Sequence, residues 1–560
     1  MFYKLLFCLC IVAAHAGEQD TSKTADCKTH KDEVPIATSQ SGVFRGSWMT
    51  TRRGRRFQAY RGIRYAEPPV GELRFQPPKP ILYYKDVVDA SKEGPACPLP
   101  VPDDYYVDED CLAINVYTPN NKVKKPLPVI MYIHPGAFYA FTGRSDVAGP
   151  GYLLDRDIVF VAFNYRLATL GFMSTGDKLA PGNNGMKDQV MAMRWVQRNI
   201  AAFGGDPNSV TLAGYSAGSI SVMLHMISPM SKGLFHRGIS MSASPINKEP
   251  LPNNFQSLAV KQAQIVNCST ASNQAIVDCL KTISWKVLGD SLPQFFVGGD
   301  PIGLWGPVVE NDFGQERFLD IQPLDAIRQG RFHSVPHIIS QTKYEFFYQV
   351  FELFKNDTLI TRMNDDWETA ARVSFLLPEK NIRAAANKLK EVYLEGKPVA
   401  KDNRTIQGVG GLYRDSITSL GVHRMANLMC RHSKHPVYYY EFSYFGDNSH
   451  YEDPVTGKPF GAVHHDDLIY LLTMSYRFPV IETTSPHSYV IDEMTALWYN
   501  FARYDDPNPR GDTPELNSLV WPVMKPDDRK YLRIGNKLTV HKNMFEDRYK
   551  VWDELYPIQY

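Results

Sequence analysis

The chain is 560 residues long, with 44% hydrophobic and 22% charged residues, a globular composition with ample apolar material for a large buried core. Its formal net charge of +1, without a long run of like charge, argues against a nucleic-acid partner. Beyond an N-terminal apolar stretch no segment reaches the roughly 20 apolar residues that span a bilayer, and the C-terminus lacks the hydrophobic tail of a lipid anchor, so no membrane anchor is expected.

In chain order, Lys4 precedes an apolar run from Leu5 to Ala14, and Ala14-His15-Ala16 offers a small-x-small cleavage site. Residues 1–16 therefore read as a secretory signal peptide, and the mature chain from Gly17 onward as soluble and extracellular. Next, Arg52-Arg53-Gly54-Arg55-Arg56 reads as a solvated hairpin tip turned at Gly54. Residues 129–133 (Val-Ile-Met-Tyr-Ile) and 158–163 are continuous apolar runs, the pattern of strands buried on both faces. Helical periodicity covers 189–203 and stops before Gly204-Gly205. A third apolar run, 210–213, passes through a turn into a helix over 217–227, and further strands are expected at 238–241, 337–340 and 437–442. Buried strands alternating with helices indicate an α/β protein with a mostly parallel sheet and helices on both faces. Reactive groups in such sheets collect at the carboxyl ends of the strands.

Cysteine usage fits an oxidising compartment. Of the 8 cysteines, Cys8 and Cys10 fall in the leader, leaving Cys27, Cys97, Cys111, Cys268, Cys279 and Cys430. An even remainder favours disulfides. Cys97 with Cys111, and Cys268 with Cys279, would each close a short loop, while Cys27 and Cys430 are either paired at long range or both free. No Cys-x-x-Cys pair or matching His spacing suggests a metal, and no cofactor motif is present. Sequons at Asn267, Asn356 and Asn403 fit a secreted glycoprotein.

The chemistry gathers in three places. Gly214-Tyr215-Ser216-Ala217-Gly218 matches Gly-x-Ser-x-Gly, in which a strand reverses into a helix with the serine at the apex and glycines remove clashing side chains. Alone, the pattern equally describes a serine capping a helix. His134-Pro135-Gly136-Ala137-Phe138 follows the 129–133 strand; small residues there let N–H groups point at a substrate oxygen, so Gly136 and Ala137, with the N–H of Ala217, are candidate oxyanion donors. Pro135 has no N–H to offer. Gly461-Ala462-Val463-His464-His465-Asp466-Asp467-Leu468 supplies a histidine base, with His464 and His465 equal candidates on the residues alone.

Several long motifs, in order, carry a resemblance. They are Pro68-Pro69-Val70-Gly71-Glu72-Leu73-Arg74-Phe75, Glu109-Asp110-Cys111-Leu112-Ala113-Ile114-Asn115-Val116-Tyr117, Pro181-Gly182-Asn183-Asn184-Gly185, Phe203-Gly204-Gly205-Asp206-Pro207 and the serine motif. From about Val43 onward the chain resembles the type-B carboxylesterase family, which contains the cholinesterases, and within it the secreted insect carboxylesterases of the venom and juvenile-hormone-esterase-like group. The resemblance implies the α/β-hydrolase fold as a single domain over 17–560 and a secreted, cofactor-free serine esterase acting on a small apolar ester. It implies Ser216 as nucleophile, His464 rather than His465 as base, and Glu345 in Thr342-Lys343-Tyr344-Glu345 as acid. It also implies Cys97–Cys111 and Cys268–Cys279 disulfides and a supporting role for Ser242. It fixes no oligomeric state.

The chain departs from the family pattern at Pro135 and Ala137, where glycines are usual, and at Phe346, where a glycine usually follows the acid. Tyr215 replaces the Glu of cholinesterases and the Gln of juvenile hormone esterases, and no Trp lies between Cys97 and Cys111 to stack on choline. Tyr132, Phe138, Tyr139, Phe141, Tyr215 and the Phe346-Phe347-Tyr348 run suggest an aromatic gorge, with part of the set belonging to the core. The rival readings are an inactive, adhesion-type extracellular relative and a lipase.

Overall fold

The apolar runs become the centre of a large sheet. The computed structural model describes residues 33–100, 104–295, 304–454 and 456–560, so the leader 1–16 and Cys27 lie outside the described residues. Eleven strands form the sheet: β1 (Ser47–Thr50), β2 (Arg56–Arg64), β3 (Ala113–Thr118), β4 (Leu127–Ile133), β5 (Val159–Phe163), β6 (Gly205–Tyr215), β7 (Arg237–Met241), β8 (His337–Thr342), β9 (Val437–Phe442), β10 (Lys530–Ile534) and β11 (Leu538–Lys542). Their spatial order is β1-β2-β3-β5-β4-β6-β7-β8-β9-β10-β11. Pairing from β5 across to β10 is parallel, and the flanking strands pair antiparallel. A separate three-stranded sheet joins Ile36–Ser39, Gly42–Arg45 and Val88–Asp89. Pro35–Tyr560 forms one compact unit.

Strand alternation splits each apolar run between two cores. Met131 and Ile133 of β4 join a cluster with the helices Asn184–Asn199, Ala217–Ile227 and Leu420–His432. Ile130 and Tyr132 join a second cluster on the other face, with the helix Ser488–Tyr504. A third cluster, including Phe347, Phe351, Trp367 and Trp552, packs the helices between β8 and β9 against the C-terminal helix Glu546–Leu555. The mostly parallel sheet with helices on both faces is thus as expected.

Differences from the sequence reading have local causes. The helix expected over 189–203 begins earlier, at Asn184, because Asn183 takes a left-handed φ of 62° that turns the chain into it; it ends at Asn199 and continues as a 3₁₀ turn, Ile200–Phe203. β6 starts at Gly205 rather than 210, since the polar stretch 205–209 continues the strand and its first residue pairs with Leu127 through a register shift. The basic segment is the tip of the β1–β2 hairpin, with Gly54 at φ +80°. It is not wholly solvated, however. Arg52 has a side chain only 1% exposed, pairs with Asp155 and Asp492, and donates to Ser488 Oγ at 2.8 Å.

Several motifs that carry the resemblance prove to be scaffold. Arg74 lies buried against Glu109, donating to Glu109 Oε2 at 2.6 Å and to the Leu280 carbonyl at 3.0 Å. Asn184 donates to the Phe75 carbonyl at 2.8 Å, and Asn183 to the Val308 carbonyl at 2.8 Å and to Glu310 at 2.9 Å. Cys97–Cys111 and Cys268–Cys279 are disulfides. Among the described residues Cys430 is a free, half-buried thiol. Asn267, Asn356 and Asn403 are all exposed. No helix among the described residues is long and apolar enough to cross a membrane.

Three core histidines make the fold sensitive to acid. Burial pushes the pKa of His225, His337 and His423 from 6.5 down to about 3 in each case. His225 is satisfied as a neutral ring between Ser231 Oγ at 2.7 Å and Gln189 Oε1 at 2.8 Å. Between about pH 3 and 6.5 the unfolded chain binds protons that the folded chain excludes, so stability falls as pH is lowered through that window. Each group contributes up to about 1.4 kcal/mol per pH unit below its unfolded value. Denaturant titrations at pH 7, 6 and 5 are expected to show a progressive loss that His225→Gln reduces; a flat profile would contradict these assignments.

Candidate active site

Four strand ends define the site. At the end of β6 the chain reverses into the helix Ala217–Ile227 within one residue, Ser216, which takes φ 54°, ψ −116°. A non-glycine residue held there stores strain of about 1–3 kcal/mol, tolerated where surrounding contacts over-determine it. Those contacts are visible. Ser216 N–H donates to the Met241 carbonyl at 2.7 Å. A Cβ on Gly214 would lie 2.2 Å from the Gly218 carbonyl oxygen, and one on Gly218 would lie 2.1 Å from the Ile133 carbonyl oxygen. Both glycines are therefore required by close backbone approach. Ser216 is half-buried at the N-terminus of its helix, where the first-turn N–H groups have no intrahelical acceptor and the dipole favours negative charge.

Beyond the end of β4 the loop is equally constrained. Gly136, Ala137 and Phe138 have φ of 112°, 48° and 64°. A Cβ on Gly136 would lie 2.1 Å from the Ala140 carbonyl oxygen. The Gly136 carbonyl accepts from the N–H groups of Tyr139 and Ala140 at 2.8 and 2.9 Å, tightening the turn. Among the described residues, the N–H groups of Gly136 and Ala137 donate to no backbone carbonyl. Asn164 pins the loop from behind: its Oδ1 accepts from Thr142 Oγ1 and Gly143 N–H at 2.8 Å each, and its Nδ2 donates to the Pro95 carbonyl at 2.8 Å. Burial against Tyr165 holds His134 down at about pKa 4, so its neutral ring adds no charge to this loop.

Glu345 and His464 come from loops after β8 and β9. Tyr344 N–H donates to the Ala462 carbonyl at 2.9 Å, tying the loops together. Glu345 is fully buried; one carboxylate oxygen accepts from Thr342 N–H at 2.8 Å and the other contacts His464 Nδ1. Asp466 organises the histidine loop, accepting from Val463 N–H at 3.1 Å, His450 N–H at 2.7 Å and Ser449 Oγ at 2.7 Å. This geometry separates the two histidine candidates. His465 takes φ 80° and is held by its N–H on the Tyr215 hydroxyl at 2.7 Å, and burial pushes its pKa well down; His464 is the one that meets Glu345. Among the described residues Glu345 is the one hydrogen-bond partner of the His464 ring.

Ser216 and His464 line one cavity of about 560 Å³, together with Gly136, Ala137 and Ala217. Its walls are apolar. Of the aromatic residues singled out in the sequence, Phe138, Tyr139, Phe141, Phe346 and Tyr348 line it, whereas Tyr132 and Tyr215 lie in the core beneath and Phe347 in the third cluster. Phe255, Trp305, Leu251 and Leu376 complete the lining and carry no local sequence signal, because each comes from a loop placed by tertiary packing. Glu249 is the one carboxylate on the lining among the described residues, and it is exposed. Ser242 is fully buried after β7 with φ 59°, its N–H donating to the Ser340 carbonyl at 2.8 Å, and among the described residues its hydroxyl has no hydrogen-bond partner. No cluster of metal-ligating side chains is found among the described residues.

Residues 32–552 match the carboxylesterase family. The chain belongs to that family. It is 33% identical over 536 residues to venom carboxylesterase-6 of Apis mellifera, covering 91% of this chain and 93% of that protein. It is likewise 33% identical over 564 residues to juvenile hormone esterase of Tribolium castaneum, covering 95% of each. The crystal structure of juvenile hormone esterase from Manduca sexta, with OTFP covalently attached, superposes with a TM-score of 0.80 at 28% identity, over 94% of this chain and all of that one. The fold is the α/β-hydrolase fold, and the protein is a carboxylic ester hydrolase.

The contact of Gly218 with β4 generates a direct test. Gly218→Ala forces the Ile133 carbonyl away and with it the loop carrying Gly136 and Ala137. Purified Gly218→Ala is expected to melt at lower temperature and to lose about a hundredfold or more of kcat/KM toward an aryl ester. Wild-type kcat/KM in this variant would overturn the account of the turn.

Proposed function

We propose that this carboxylic ester hydrolase is a secreted serine carboxylesterase working through an acyl-enzyme on Ser216, with His464 as base and Glu345 as acid. The observation that carries the reading is the contact of buried Glu345 with His464, which lines the same cavity as Ser216. His464 takes the Ser216 Oγ proton as the oxygen attacks the ester carbonyl, and Glu345 holds the imidazole tautomer and stabilises its charged form. The oxyanion is received by the N–H groups of Gly136, Ala137 and Ala217, each donor typically worth about 3 kcal/mol. Collapse breaks the bond to the alcohol oxygen, which takes the proton back from His464. Water then repeats the sequence on the acyl carbonyl and frees Ser216, with no cofactor required.

The apolar walls and the exposed carboxylate of Glu249 favour neutral, apolar esters over anionic ones. The names of the relatives suggest juvenile hormone as one ester to include in a substrate panel. Apolar residues 5–14 before Ala14-His15-Ala16, the two disulfides and the exposed sequon asparagines support secretion.

Ser216→Ala is expected to abolish aryl-ester turnover and covalent labelling by an organophosphate, followed by intact mass. Wild-type-like turnover in that variant would refute the scheme. Glu345→Gln, which keeps the shape but presents the wrong hydrogen-bonding pattern to His464, is expected to lower kcat by about two to four orders of magnitude. A loss below tenfold would remove Glu345 from the role of acid.

A further inference from the structure

Two aromatic rings meet at one imidazole. The Phe346 ring packs on His464 with centroids 4.2 Å apart and planes 32° from parallel. The Tyr215 ring lies 5.0 Å from the same imidazole, at 57°. Phe346 is only 6% exposed and lines the cavity. Its φ is 48°, in the left-handed region where a bulky residue is strained and glycine is not. The backbone here thus has the conformation a glycine serves best, yet the chain keeps a large ring. Strain retained at such a point directs attention to what the side chain does.

The His464 ring has Glu345 as its one hydrogen-bond partner among the described residues, through Nδ1. A ring tethered at one nitrogen can pivot about that tether, carrying Nε2 away from the serine. Aromatic faces against the imidazole restrict that pivot. Tyr215 is itself fixed, fully buried with its hydroxyl accepting the His465 N–H at 2.7 Å. Phe346 is fixed by its backbone, adjacent to a carboxylate anchored on Thr342 N–H.

We infer that Phe346 is a positioning residue which, with Tyr215, forms an aromatic clamp that holds the His464 imidazole in line between Glu345 and Ser216. The inference rests on His464 being the base, and its test keeps the two claims apart. Phe346→Tyr retains a flat ring, Phe346→Leu retains apolar bulk without one, and Phe346→Gly removes both while relieving the backbone. Each is compared with wild type and with His464→Ala for kcat, KM and melting temperature on a small aryl ester. Phe346→Tyr is expected to stay within about twofold of wild type, while Phe346→Leu loses about tenfold in kcat with KM nearly unchanged, a size consistent with misorientation of a reacting group. Phe346→Gly is expected to lose at least as much kcat. If His464→Ala is inactive but Phe346→Leu keeps wild-type kcat, the clamp is refuted and the base assignment stands. If His464→Ala remains active, the base assignment fails first. A Leu variant that loses kcat only in proportion to a lowered melting temperature, with Tyr failing to rescue, would reduce Phe346 to a packing residue and overturn the proposal.

Discussion

A strand that ends at Tyr215 and a helix that begins at Ala217 leave one residue in which to reverse the chain. That reversal sets the packing around it. Gly218 lies so close to the end of β4 that a single methyl group would collide with the Ile133 carbonyl, and Gly214 lies as close to Gly218. The same contact fixes where the next residues of the β4 loop, His134 to Ala137, stand relative to Ser216. One backbone-to-backbone contact therefore determines both the strain in the serine and its distance from the N–H groups proposed to receive an oxyanion. Everything else at the site arrives on loops that are tied down separately, by Asn164 behind the β4 loop and by the Tyr344–Ala462 hydrogen bond between the loops of Glu345 and His464.

The sheet makes this arrangement affordable to the fold. Its parallel centre is buried on both faces, so a strand such as β4 carries no charged side chain, and chemistry is placed beyond its end. Alternate residues of β4 enter different cores, Met131 one and Tyr132 the other, which resists any slippage of its register. A shift of one residue would exchange the two sets and move Ile133 away from Gly218.

The parts of the fold that could be read from sequence were those whose local pattern is dictated by burial alone. The continuous apolar runs of β4 and β5 declare themselves, and so does the glycine-flanked serine. β2 shows no such pattern, because Arg56–Arg64 mixes charged, aromatic and glycine residues and the strand bulges between Tyr60 and Ile63. The burial of Arg52 escapes the sequence for a related reason: nothing in Arg-Arg-Gly-Arg-Arg reveals that Asp155 and Asp492, distant in sequence, will pair with one of its members. At the site, His464 and His465 were equivalent on composition and spacing alone, and only the resemblance separated them. In the structure His464 Nδ1 contacts Glu345, whereas His465, at a positive φ, is held by its backbone N–H on the Tyr215 hydroxyl. Trp305 and Phe255 were invisible because their place on the cavity wall depends on how separate loops pack.

Charge beneath the cavity follows the same economy. Asp467 is fully buried near Tyr215 and Glu345, and burial, followed by repulsion from Glu345 and Asp466, pushes its pKa well above the ordinary carboxylate value. Both effects disfavour its charged form. His134 and His465 are also kept uncharged by burial. The Glu345 carboxylate is the group facing Nδ1 of His464. In a site with few competing charges, an imidazole that gains a proton is stabilised by that one partner, and the direction of stabilisation is set by the ring's orientation. Orientation then becomes the property to protect, and the aromatic surfaces of Phe346 and Tyr215 lie where they can protect it.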